Sequence, residues 1–109
     1  MGVTVGEADG EALGDGDGDL LDLPRLFTMV RHVRKVKAIV YGHSHEYGFS
    51  EYKGIHLINL PATGYNISDD GPVGWVEARL RAMGGDFILH ATAGNTQQNG
   101  SEKHLTWRT

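Results

Sequence analysis

The stretch Val36-Lys37-Ala38-Ile39-Val40-Tyr41-Gly42-His43-Ser44-His45 constrains this chain more than any other. Its apolar, β-branched part reads as a short buried strand. The run stops at a glycine, where a backbone can turn sharply or approach a neighbour closely. Two histidines with one serine between them follow at once. Upstream, Leu26, Phe27, Val30 and Val33 recur at helical spacing, with Asp22 suited to the cap and Pro24 to the first turn. Arg31, His32, Arg34 and Lys35 then fall in the last turns of that helix, where positive charge complements the helix dipole. His32 is read as part of that basic end, not as a ligand. A helix running into a buried strand is an αβ unit, and α/β folds keep their ligands in loops at the carboxyl ends of strands.

After the histidines the pattern changes to period two. Phe49 to Tyr52 and Ile55 to Leu60 flank Lys53-Gly54 and predict a hairpin. In its second arm Ile55, Leu57 and Asn59 are predicted on one face, and His56, Ile58 and Leu60 on the other. Pro61 ends that strand, and residues 62–72 read as a turn-rich loop. Val73 to Ala82 and Asp86 to Thr92 flank Met83-Gly84-Gly85 as a second hairpin, with Val76, Ala78 and Leu80 opposed to Glu77, Arg79 and Arg81. Trp75 is expected in the core. His56 is expected half-buried or on the surface of its strand, and His90 and His104 in solvent. The stretch from Ala93 on is polar and aperiodic, with Trp107 its only large apolar residue. It reads as a disordered tail.

Residues 1–19 are glycine-rich and acidic, and read as flexible. Asp15-Gly16-Asp17-Gly18-Asp19 looks like the start of a calcium loop, but Leu20 and Leu26 stand where such a loop needs glycine and glutamate. The predicted organisation is a flexible segment 1–19, an ordered region 20–92, and a polar tail 93–109. The fold class is α/β, one helix and a buried strand followed by antiparallel β-hairpins.

Composition narrows the function. A chain of 109 residues suits one small domain. A net charge of −4 argues against a nucleic-acid surface. The absence of cysteine excludes disulfides and thiolate metal sites. Residues 1–19 lack the features of a signal peptide, and no apolar run reaches membrane-spanning length. A soluble, cytoplasmic protein is the expectation.

Neutral imidazole is the commonest protein metal ligand. Two histidines at i and i+2 share one side of an extended segment, or splay towards two neighbouring ions in an irregular loop. Taken alone, the pair fits equally a turn whose histidines bond to backbone carbonyls.

The wider sequence adds a resemblance. Residues 36–45, the helix before them, the hairpin after them, and the stretches GIHLINLPATGYN and PVGWVEARL together resemble the C-terminal half of the calcineurin-like metallophosphoesterases. The likeness runs over about residues 20–92. It implies part of a two-sheet sandwich flanked by helices, with a dinuclear metal site between the sheets. By that resemblance His43 would bind the second metal and His45 the first. The ions would be manganese, iron, zinc, nickel or cobalt. They would activate water for in-line attack on a phosphate-ester substrate. Glu46 would accept a hydrogen bond from a histidine N–H, and Tyr65 and Asn66 would line the substrate rim. The family's upstream ligands (Asp-x-His, Gly-Asp, Gly-Asn-His and a further histidine) have no counterpart before His43. The expectation is therefore a phosphoesterase fragment with little activity of its own.

Two other readings remain open. A cupin-like single-metal barrel also uses His-x-His, but Glu51 lies too far beyond the pair and Glu77 stands where that pattern needs histidine. A non-catalytic β-rich module would self-associate through exposed sheet faces and unpaired edges, giving a homo-oligomer.

Overall fold

The structure, a computed structural model, describes residues 2–5 and 23–109. Strand β1 is Gly2–Val5, helix α1 is Leu23–Val30, and strand β2 is Val36–Tyr41. Strands β3 (Gly48–Tyr52) and β4 (Ile55–Asn59) form the first hairpin. Strands β5 (Pro72–Leu80), β6 (Gly84–Gly94) and β7 (Glu102–Thr106) complete the chain. One sheet has the order β1-β2-β4-β3 and the other β5-β6-β7. β1, β2 and β4 run parallel, so their carboxyl ends lie at one pole of the first sheet. The remaining pairs are antiparallel.

Alternation along β2 and β4 sorts side chains into two cores. Ile39, Tyr41, Ile55 and Leu57 face α1 and pack with Leu26, Phe27 and Val30. Phe27 also stacks on Tyr52, ring centroids 4.3 Å apart. Ala38 and Ile58 face the other way, onto Phe87, Leu105 and Trp107 of the second sheet. The layers are thus helix, mixed sheet, antiparallel sheet. A strand apolar on both faces needs cover on both sides, which is why β2 and β4 occupy the middle. The faces predicted for β4 are those observed.

The first hairpin turns where expected. Lys53 and Gly54 both have left-handed backbone, φ 51° and 82°, the combination that a two-residue primed turn requires.

Four expectations need correction. First, α1 stops at Val30, so Arg31, His32, Arg34 and Lys35 lie beyond it. The carbonyls that a longer helix would use are taken by Arg108. Its guanidinium donates to the carbonyls of Val30 (3.2 Å), Arg31 (2.8 Å) and Val33 (2.7 Å), and to those of Val36 (3.1 Å) and Lys53 (3.3 Å). Second, residues 102–109 are not a disordered tail. β7 pairs with β6, and Trp107 is buried, its indole N–H donating to the Arg81 carbonyl at 3.0 Å. Third, Gly84 and Gly85 are strand residues, and the turn is at 81–83. A Cβ on Gly84 would sit 2.2 Å from the Leu105 carbonyl oxygen, so glycine is there to let β7 approach. Fourth, Trp75 is 51 % exposed. It lies on the outer face of the second sheet, stacked on His90 at 4.1 Å.

Gly2–Val5 of the segment expected to be flexible form β1. Residues 6–19, the acidic stretch among them, lie outside the described residues, as does the expected Asp22 cap.

Candidate metal centre

The loop after β2 leaves the sheet at the carboxyl pole of the parallel strands. It runs beside the loop that follows β4, because Tyr41 and Asn59 are register partners. The chain is tied here by the Leu60 N–H, which donates to the Tyr41 carbonyl at 2.8 Å. Gly42 ends the strand, and the chain bends at His43 and Ser44 before it reaches His45. Both histidines have left-handed backbone, His43 at φ 99° and His45 at φ 61°. For a residue with a Cβ that conformation is strained, and it persists where the surroundings over-determine it.

His43 and His45 line one cavity of about 300 Å³ together with Leu60, Pro61, Ala62, Thr63, Gly64 and Tyr65. His45 Nδ1 lies 2.8 Å from the carbonyl oxygen of Tyr65. A carbonyl only accepts, so Nδ1 carries the proton and donates. The neutral ring then keeps its lone pair on Nε2. An Nδ1–H to carbonyl bond of this kind is how a metal-ligating histidine is oriented. The Tyr65 ring packs against the same imidazole at 4.8 Å, while most of its surface stays exposed. Beneath the loop, the Asn59 amide donates to Ser44 Oγ at 2.7 Å.

The other sequence candidates separate from this centre. Glu46 is exposed, and its charge acts on Tyr41. Burial pushes the Tyr41 phenol above its ordinary range, and Glu46 adds to that. The acceptor found on His45 is the Tyr65 carbonyl, not the Glu46 carboxylate. Asn66 donates to the Gly71 carbonyl at 2.8 Å, and a Cβ on Gly94 would meet its amide at 2.9 Å. It therefore braces the loop against β6.

His56 lies apart from the pair, bonded to the Thr106 carbonyl at 2.8 Å. His90 contacts Glu77 at 3.1 Å, and His104 contacts Asp86 at 2.7 Å. Glu77 and Asp86 are both held below the usual carboxylate range, chiefly by Arg79 and Arg81 respectively.

Sequence reasoning passed over three contributions. The Tyr65 backbone acts through a carbonyl, which leaves no mark in residue type. Asn59 and Ser44 did leave one: a carboxamide ending an apolar strand, and a serine between two histidines.

Among the described residues no group of three or more His, Asp or Glu side chains is placed to hold a metal ion. Two imidazoles are fewer ligands than a divalent ion takes, and carboxylates are needed to balance charge. The described residues therefore do not by themselves make up a metal site. The chemistry of the pair, one oriented imidazole beside a second at the mouth of a cavity, suits part of a larger ligand set.

No protein-family model matches the sequence, and no curated protein matches it either. Solved structures do match. A conserved uncharacterised protein of Streptococcus pneumoniae, titled a predicted phosphoesterase, superimposes with TM-score 0.57 at 10 % identity, over 88 % of this chain and 52 % of that one. A single mutant of Vps29 from Entamoeba histolytica gives TM-score 0.53 at 13 % identity, over 84 % and 48 %. The corresponding double mutant gives 0.51 at 10 %, over 78 % and 47 %. At such identities the likeness is one of fold. The architecture is the mixed α/β, two-sheet arrangement of these metallophosphoesterase-fold proteins, and the chain spans about half their length. No helix among the described residues is long and apolar enough to cross a membrane.

Proposed function

We propose that this chain is the C-terminal half of a metal-dependent phosphoesterase domain, acting in the cytoplasm, in which His43 and His45 supply two ligands of a dinuclear site. The observation that carries the reading is the His45 Nδ1–H bond to the Tyr65 carbonyl at 2.8 Å, which leaves Nε2 free to coordinate. The phosphoesterase-like fold supports it, as does the position of the loop at the carboxyl pole of the parallel strands.

The ions in a complete site would be manganese, iron, zinc, nickel or cobalt. Bound as a pair, they would polarise a phosphate ester and generate a hydroxide nucleophile. This chain's share is to present two imidazoles, to fix the tautomer of His45, and to form one wall of the cavity through residues 60–65. Tyr65, largely exposed at that wall, would meet the ester group of the substrate.

Residues 1–109 alone are proposed to turn over phosphate esters little, because two imidazoles do not hold two ions. Hydrolysis of p-nitrophenyl phosphate mono- and diesters with Mn²⁺, Zn²⁺, Ni²⁺ or Co²⁺ is the test. Rates at the metal-only background are expected. Metal-dependent turnover that disappears in His45→Ala would overturn the low-activity part of the reading. The outer edges of β1 and β3, unpaired among the described residues, favour a second reading, self-association into a homo-oligomer. A monomeric mass by light scattering at micromolar concentration would remove it.

A further inference from the structure

We infer that Asn59 is a positioning residue for His43 and His45, an inference that rests on reading their loop as part of a metal site. Asn59 ends β4 on the face turned towards α1, and only 7 % of it is exposed. A carboxamide offers two donors and an acceptor with two lone pairs. The structure uses it sparingly. Nδ2 donates to Ser44 Oγ at 2.7 Å, and Oδ1 is buried without a hydrogen-bond partner among the described residues. Turning the amide over would only exchange which atom is left over. A leucine would suit this spot better on burial grounds alone, because a buried polar atom without a partner is destabilising. What the amide provides in return is its grip on Ser44.

Ser44 is the residue between the two strained histidines. Left-handed backbone on both sides of it is strained at each position and must be held from outside. Three bonds hold it. The Leu60 N–H to Tyr41 carbonyl bond closes the base of the loop. The Tyr65 carbonyl holds the His45 ring from the side. The Asn59 amide holds the middle from beneath, and it is the only one of the three made by a buried side chain. Releasing Ser44 lets His43 and His45 relax towards ordinary φ. The His45 ring then swings off the Tyr65 carbonyl, and Nε2 is no longer the unique free nitrogen.

The test uses the full chain, ¹⁵N-labelled, at a pH where imidazole is neutral. Ring-nitrogen shifts report the His45 tautomer without metal, and a Zn²⁺ titration reports affinity. The native protein is expected to show His45 protonated on Nδ1 alone. Asn59→Leu and Ser44→Ala are both expected to show a mixture of tautomers and Zn²⁺ affinity about ten- to a hundredfold weaker. Ser44→Thr keeps the hydroxyl and is expected to keep the native tautomer and affinity. If Asn59→Leu fails to fold, Ser44→Ala decides, because it leaves the core untouched. A native tautomer and native affinity in folded Ser44→Ala overturn the inference. Should the native chain fail to bind Zn²⁺, the metal reading falls, while the metal-free tautomer comparison still decides the role of Asn59.

Discussion

The two ends of the parallel strands are built in opposite ways. At the amino pole, where β2 and β4 begin, one residue closes the structure. Arg108 donates to five backbone carbonyls there, and the Lys37 ammonium donates to the carbonyl of Arg108 itself at 2.7 Å. Carbonyls left over at a helix end are satisfied by a fork of fixed donors. At the carboxyl pole the opposite holds. Two histidines sit in left-handed backbone, and among the described residues one nitrogen of His45 is used and the other is not, and Asn59 keeps a buried oxygen unbonded. One pole uses its polar groups for stability. The other accepts strain and leaves polar capacity in reserve, as functional sites do.

Substitutions can break this contrast from either side. The largest expected effect is at the strand that delivers Arg108. Trp107→Ala empties a position between the sheets and should cost about 3–5 kcal/mol, read as a fall in the urea midpoint. Arg108→Ala should cost about 2–4 kcal/mol, since several carbonyls lose charged donors. Arg108→Lys should recover only part of that, because an ammonium lacks the planar fork. Neither change should alter Zn²⁺ affinity at the far pole by more than its effect on the folded fraction. A tenfold loss of affinity in folded Arg108→Lys would mean the poles are not independent.

How much of this was legible beforehand depended on how local the cause was. The β2 strand, the two faces of β4 and the Lys53-Gly54 turn follow from spacing and backbone preference within a few residues. The end of α1 does not, because its carbonyls are taken by a residue far along the chain, at position 108. β7 escaped notice because Glu102, Lys103, His104 and Thr106 face water and only Leu105 is buried. An edge strand with one buried residue has almost no apolar period. Trp75 was misplaced by residue type, although its parity with Glu77 and Arg79 puts it on the outer face. At the candidate site, the pair His43 and His45 is plain in the sequence. The Tyr65 carbonyl is supplied by chain folding alone, whereas Asn59 and Ser44 stand out as residue types and only their meeting needs three dimensions.

Smaller effects sharpen the other side of the contrast. His45→Ala should change stability by less than about 1 kcal/mol, because the ring is only partly buried and alanine keeps the Cβ, so the backbone strain is the same in both. Thermal melting of the metal-free variant beside the native chain checks this. A large loss of stability would mean that the loop belongs to the structural frame.

The smallest effect concerns pH. Glu77 and Asp86 are held below the usual carboxylate range by Arg79 and Arg81, with His90 and His104 adding to each. A folded-state value below the unfolded one stabilises the protein above the ordinary carboxylate range, and that contribution is lost as pH falls through the lowered value. Both groups remain partly open to solvent, so the loss should be slight. Urea midpoints of native and Asp86→Asn protein should therefore converge as the solution is acidified below the carboxylate range. Widening of the gap there would contradict the sign.

Calorimetric titration of Zn²⁺ into the native chain, His43→Ala and His45→Ala, with circular dichroism to confirm folding, is the decisive measurement. A metal half-site at the carboxyl pole predicts saturable binding to the native chain, weakened at least about tenfold by either substitution with the fold intact. Binding of equal strength in all three proteins, or none in the native chain, would contradict it.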